Sequence, residues 1–172
     1  MKGERILRAL DGIYLACIWI AGLAILAMAL VIPWGIFARY VLGTGSQWPE
    51  PIAILLMVVF TFIGAAASYR AGAHIAVGVV TERVPPALQA LLARLVHGLM
   101  VAICVFLVWW GTKLCIATWN QSLSELPWLP VGLTYSPVPL GGLLTLLFVL
   151  EHIFFGPQNA RAAVGTQEAQ AH

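Results

Sequence analysis

The chain has 172 residues, 61% of them hydrophobic and only 9% charged, with a formal net charge of +2 and a mean hydropathy of +0.92. A soluble domain carries about a quarter charged residues because its surface must face water, so this composition belongs in lipid. The basic excess is too small and too scattered for a nucleic-acid-binding protein.

Charges divide the chain into apolar stretches. No charged residue falls among the 27 between Asp11 and Arg39, the 19 between Glu50 and Arg70, the 18 between Arg94 and Lys113, or the 25 between Glu125 and Glu151. A helix crosses roughly 30 Å of hydrocarbon with about 20 residues, and Arg94 and Lys113 can snorkel from the ends of the shortest stretch. Strand-like alternation is missing, which argues against a β-barrel. The pattern predicts an all-α integral membrane protein with four transmembrane helices near residues 13–37, 51–69, 87–112 and 139–156.

Taken in order, the first stretch is about twice the length of a signal-peptide core of 7–15 residues, so it reads as a retained helix. Pro33 is expected to kink it near its outer end. In the second helix, Gly64 and Ser68 stand four residues apart with Ala65 to Ala67 beside them. Such small residues allow close helix–helix approach.

About 15 residues then separate helices 2 and 3, mixing Ile75, Val77, Val79 and Val80 with Arg70, His74, Glu82 and Arg83. That mixture predicts a segment lying along the membrane interface. Helix 3 opens at Pro86, a good first-turn residue. Its Leu88, Leu91, Leu92 and Leu95 form an apolar stripe, and a helix from there to Trp119 would be roughly 50 Å long. Trp48, Trp109, Trp110, Trp119 and Trp128 fall near predicted membrane borders, as an aromatic belt requires. Residues 1–157 read as one transmembrane domain and 158–172, small and polar, as a disordered cytoplasmic tail.

Lysine and arginine set the orientation. With the N-terminus inside, one side receives Lys2, Arg5, Arg8, Arg70, Arg83, Arg94 and Arg161, and the other only Arg39 and Lys113. The positive-inside rule then places both termini, and the segment between helices 2 and 3, in the cytoplasm.

Chemistry-bearing motifs are sparse. Cys17, Cys104 and Cys115 form no CxxC pair and read as small apolar residues. No Gly-rich phosphate loop, HExxH, GxSxG or EF-hand pattern occurs. His97 and His152 fall toward the same side, which leaves a bis-His haem site open as an alternative. Glu50, Arg70, Arg94, Lys113 and Glu151 all stand at predicted helix ends. A channel or autonomous transporter needs broken helices, repeats or buried polar groups to hold its cargo, so the chain reads as a membrane part that supports something else.

Three ordered passages carry a family resemblance: FARYVLG followed by WPEPIAILLM, then FIGAAASYRAGAHIAV, then ELPWLPVGLTYSPVPLGGLL. From Arg39 to about Glu151 the chain resembles the small membrane subunit (DctQ-like permease) of tripartite ATP-independent periplasmic (TRAP) transporters. It departs from the family pattern at Pro51 and Gly78, where an acid is usual, and no role of those acids carries over.

The resemblance implies a scaffold subunit of the bacterial inner membrane, not an enzyme. Its partners would be a large membrane subunit, as a heterodimer, and a periplasmic substrate-binding protein delivering an organic acid. No cofactor is implied, sodium coupling belonging to the large subunit, and no catalytic, substrate-binding or metal residue is expected in this chain. Under this reading Arg39, Trp48 and Glu50 form a polar cluster on the outer side. Arg70 and His74 anchor the inner side, and Gly64, Ser68, Pro139 and Gly141 shape helix packing. Two alternatives stay open: a small membrane subunit of another complex, such as a tricarboxylate-type tripartite transporter, and a b-haem or quinone-linked membrane cytochrome.

Overall fold

The computed structural model describes residues 2–44, 47–72 and 86–156. The segment between helices 2 and 3, His74 within it, and the tail from residue 157 lie outside the described residues. Among the described residues seven elements follow one another: α1 (Lys2–Tyr40), α2 (Pro49–Arg70), α3 (Pro86–Ala117), a hairpin of β1 (Ser122–Leu123) and β2 (Leu126–Pro130), a short α4 (Val131–Tyr135), and α5 (Pro137–Phe155). Among the described residues four helical stretches, Glu4–Tyr40, Pro49–Arg70, Leu91–Ala117 and Val131–Phe155, are long and apolar enough to cross a membrane.

The boundaries have local causes. Glu4 in the first turn of α1 and Arg39 in its last complement the helix dipole. Past the end of α1, Gly43 takes a positive φ, and Thr44 donates from both its backbone N–H and its hydroxyl to the Ala38 carbonyl. Pro49 and Pro51 open α2, where their missing N–H groups cost nothing, and Glu50 sits in the same turn. Gly156, at φ 78°, ends α5 and donates its N–H to the His152 carbonyl.

The lengths differ from the sequence expectation. The first helix begins at Lys2 rather than near residue 13, so its 39 residues reach roughly 58 Å and run through Pro33. Charge marks the border of a membrane span rather than of the helix, which leaves the bilayer without unwinding because its backbone is already bonded internally. The third helix, 32 residues and roughly 48 Å, is long as expected. The β-hairpin was not expected, since two and five residues are too short to show alternation.

Packing runs in a row: α1 on α2, α2 on α5, and α5 on α3. The interior is lined largely by small side chains. On α1 the inward positions 10, 14, 17, 21, 24, 28, 31, 35 and 38 alternate steps of four and three, a coiled-coil seam that includes Cys17, Ala21, Ala24 and Ala38. Opposite stand Ile63, Ala66 and Ala67 of α2, with Phe148 of α5 closing the cluster. Large apolar side chains such as Leu23, Leu30, Leu99 and Phe106 point outward. In lipid the hydrophobic effect does not drive helices together, so small residues that bring backbones close define the interior.

One expectation about faces is corrected here. Ser68 and Ala65 are exposed, and the buried face of α2 is Ile63, Ala66, Ala67 and Arg70, rotated from the Gly64–Ser68 line. The stripe on α3 also faces away from the other helices, with Leu88, Leu91 and Leu95 all exposed. Apolar periodicity marks a packing face only where the alternative is water. Here both sides of the helix are apolar.

Glycines mark the closest approaches. A Cβ on Gly141 would lie 2.6 Å from Phe62 Cβ and 2.8 Å from its carbonyl oxygen, so α5 meets α2 backbone to backbone. Pro139, two residues earlier, packs its Cδ where a Cβ on Gly111 of α3 would reach 3.0 Å. At Gly64, by contrast, the nearest atom would be Ala21 Cβ at an ordinary 3.7 Å.

Candidate functional site

Two groups of charged side chains stand at opposite ends of the helix row. At the end holding the first turns of α1, Arg70 is the last residue of α2 and points inward. Its Nε and one terminal nitrogen each donate to Glu151 of α5 at 2.8 Å, as a bidentate pair. The same terminal nitrogen also donates to Asp11 Oδ1 of α1 at 2.5 Å.

Burial separates the two acids. The Arg70 and Glu151 side chains are 5% and 1% exposed, while Asp11 is 43% exposed. The guanidinium carbon lies 5.1 Å from the Tyr14 ring centroid and 5.5 Å from that of Phe148, with these two rings edge-on to each other. One cation thus joins three helices, and its aromatic neighbours exclude solvent from the pair with Glu151. Arginine suits this place because its planar fork matches a carboxylate and cannot lose its proton.

Folding brings these groups together simply. Asp11 lies near the start of α1, Arg70 at the end of α2 and Glu151 near the end of α5, and alternating helix direction puts all three at one end. The sequence singled out Arg70 but missed Asp11 and Glu151, which read as borders of apolar stretches. The available signal was that two acids and one arginine share a side of the predicted topology.

At the other end, Arg39 closes α1 and Glu50 opens α2. They form an ion pair at 3.4 Å with side chains 51% and 73% exposed. Both line a cleft of about 560 Å³, together with Gln47, Glu125, Thr134 and Tyr135. The cleft therefore spans the α1–α2 turn, the β-hairpin and α4. Trp48 caps α2 beside it, exposed and outside the cleft wall. Gln47, Glu125 and Tyr135 were not singled out from the sequence, because the hairpin turn that carries Glu125 to the cleft and the short α4 that carries Tyr135 were not foreseen.

The hairpin is held from both sides. Val131 N–H donates to the Gln121 carbonyl at 2.8 Å and Gly132 N–H to the Thr118 carbonyl at 3.2 Å. Gly132 must be glycine, since a Cβ would come within 2.4 Å of the Cys115 carbonyl oxygen at the end of α3. Beyond it, Lys113 Nζ rests 5.0 and 5.1 Å from the Trp109 and Trp110 rings, a cation–π clip on an outward face.

The histidines of the haem alternative do meet. His97 of α3 and His152 of α5 have ring centroids 5.0 Å apart with planes tilted by 40°. They lie ring against ring rather than opposed across a gap, which does not suit an iron and its macrocycle held between them. Among the described residues no group of three or more His, Cys, Asp or Glu side chains could hold a metal ion. Cys17, Cys104 and Cys115 are free thiols.

Comparison with known proteins places this geometry. Residues 28–156 match the family described as tripartite ATP-independent periplasmic transporters, DctQ component. A relative from Haemophilus influenzae, a candidate TRAP transporter small permease protein, is 25% identical over 126 residues, covering 73% of this chain and 78% of its own length. The match takes in the last third of α1 and the other three membrane helices, and with it the chain belongs to the DctQ family, the small permease component of TRAP transporters.

Proposed function

We propose that this protein is the static scaffold of a sodium-coupled organic-acid uptake system in the bacterial inner membrane, both termini facing the cytoplasm. It docks against a large membrane subunit that carries the substrate and sodium sites, and a periplasmic binding protein delivers the cargo. It needs no cofactor of its own and performs no catalysis.

One observation carries the scaffold reading: the buried charge is spent inside the fold. Arg70 is satisfied by Glu151 and Asp11, and among the described residues no buried side-chain nitrogen or oxygen lacks a hydrogen-bond partner. A transport path needs polar groups left available for cargo. The outer cleft supports a docking role toward the binding protein, being open, at the end opposite the termini, and carrying Arg39, Glu50 and Glu125 on an otherwise largely apolar wall.

Co-expression with its genomic neighbours tests this. A tagged chain is expected to elute in mild detergent with a stoichiometric large membrane protein, and its deletion to abolish sodium-dependent organic-acid uptake. Elution alone, with uptake unchanged by deletion, overturns the reading.

A further inference from the structure

At the end that the lysine and arginine bias assigns to the cytoplasm, a groove of about 730 Å³ runs between α3 and α5. Its polar wall is Arg94, His97 and His152, and its apolar wall includes Gly98, Val101 and Ile153. Val101 stands one helical turn beyond His97, toward the middle of the membrane span, so the groove passes from charged to apolar along its length. Gly98 leaves its floor open, with nothing within 4 Å of where a Cβ would stand.

Arg94 differs from the other two membrane-border arginines described above. Arg70 and Arg39 are both ion-paired, whereas Arg94 makes no ion pair among the described residues, and no carboxylate lines the groove. Glu151, adjacent in sequence to His152, is turned toward Arg70. His97 Nδ1 lies 2.6 Å from the Ala93 carbonyl oxygen; a carbonyl only accepts, so this nitrogen holds the proton and the Nε2 edge is left for other partners. The result is a cation with imidazoles in the same wall, near the start of the Leu91–Ala117 span, beside an apolar trough.

We propose that this groove is a binding site for an anionic phospholipid of the cytoplasmic leaflet. The lipid phosphate pairs with Arg94 beside the His97–His152 stack, and an acyl chain lies along Gly98, Val101 and Ile153. Basic pockets between membrane helices on the cytoplasmic side suit such headgroups. The apolar continuation of the groove favours an intact lipid over a soluble phosphate, which would leave that wall uncovered. The site is independent of the transport role and would stand if that reading failed.

Native mass spectrometry of the full-length chain in mild detergent, titrated with phosphatidylglycerol or phosphatidylcholine, tests it. Phosphatidylglycerol is expected to bind at least about fivefold more tightly, the effect of one basic side chain near an anionic surface. Arg94→Gln should abolish that preference, while Arg8→Gln, on the same side but outside the groove, should leave it intact. Gly98→Leu, which has room to fold, should fill the trough and weaken both lipids. Equal binding of the two lipids, or equal losses in the two arginine variants, overturns the proposal. So does competition by glycerol phosphate at the same concentration as intact lipid, which would mark a soluble-anion site.

Discussion

The two ends of this molecule carry the same chemistry in opposite settings. Each has an arginine at a helix terminus facing a glutamate from another helix, yet Arg70–Glu151 is shut inside the helix row and Arg39–Glu50 lies open. Exposed pairs of this kind contribute about 0–1 kcal/mol, because water and salt already satisfy both partners. A buried arginine–carboxylate pair contributes little net energy when intact, but breaking it strands an uncompensated charge, at about 3–5 kcal/mol. The comparison teaches that the inner charges tie α1, α2 and α5 together, while the outer pair stays open to solvent.

The most damaging way to break the contrast is at the inner pair. Glu151→Ala should destabilise the protein by about 3–5 kcal/mol, read as a large loss of thermal stability in detergent or of membrane-inserted yield. Asp11→Asn should cost distinctly less, because Asp11 is partly exposed and its amide oxygen can still accept from Arg70. Equal losses in the two variants would mean that both acids act as one buried unit.

Next in size are the glycines, which test whether packing is as asymmetric as the charges. Gly141→Ala drives a methyl into the Phe62 backbone and should cost about 1–3 kcal/mol, whereas Gly64→Ala meets ordinary contact distance and should be near neutral. Thermal unfolding of both variants side by side decides this, and a reversed order would make the α1–α2 contact at Gly64 the tighter of the two.

The smallest effect is expected at the outer end. Arg39→Gln or Glu50→Gln should change stability by no more than about 1 kcal/mol. If the cleft docks a binding protein, the same variants should reduce uptake while leaving expression and thermal stability unchanged. Loss of stability comparable to Glu151→Ala would erase the distinction between the two ends.

Much of the fold was legible in the sequence, and much of the inner site was not. Four apolar stretches follow from charge spacing, since lipid tolerates few charges and requires about 20 residues per crossing, and the long third helix follows from Pro86 and the leucine periodicity after it. The start of α1 at Lys2 was hidden because polarity ends a membrane span without ending a helix. Ser68 was misplaced because lipid and protein interior are equally apolar, so small or apolar spacing cannot say which side is which, and the leucine stripe of α3 indeed faces outward.

What the sequence by itself determined is the solvent: an all-helical chain with four membrane helices, a basic bias to one side, and an ordered set of passages that place it among TRAP small permeases. Only the tertiary structure decided which charges are buried. Asp11, Arg70 and Glu151 are separated by 59 and 81 residues and look, one by one, like ordinary borders of apolar segments. Their union depends on which helices are neighbours in the row and how each is rotated about its axis. Those relations are set by close packing of small residues such as Ala66 and Gly141, whose individual signals are faint in a chain where almost every residue is apolar.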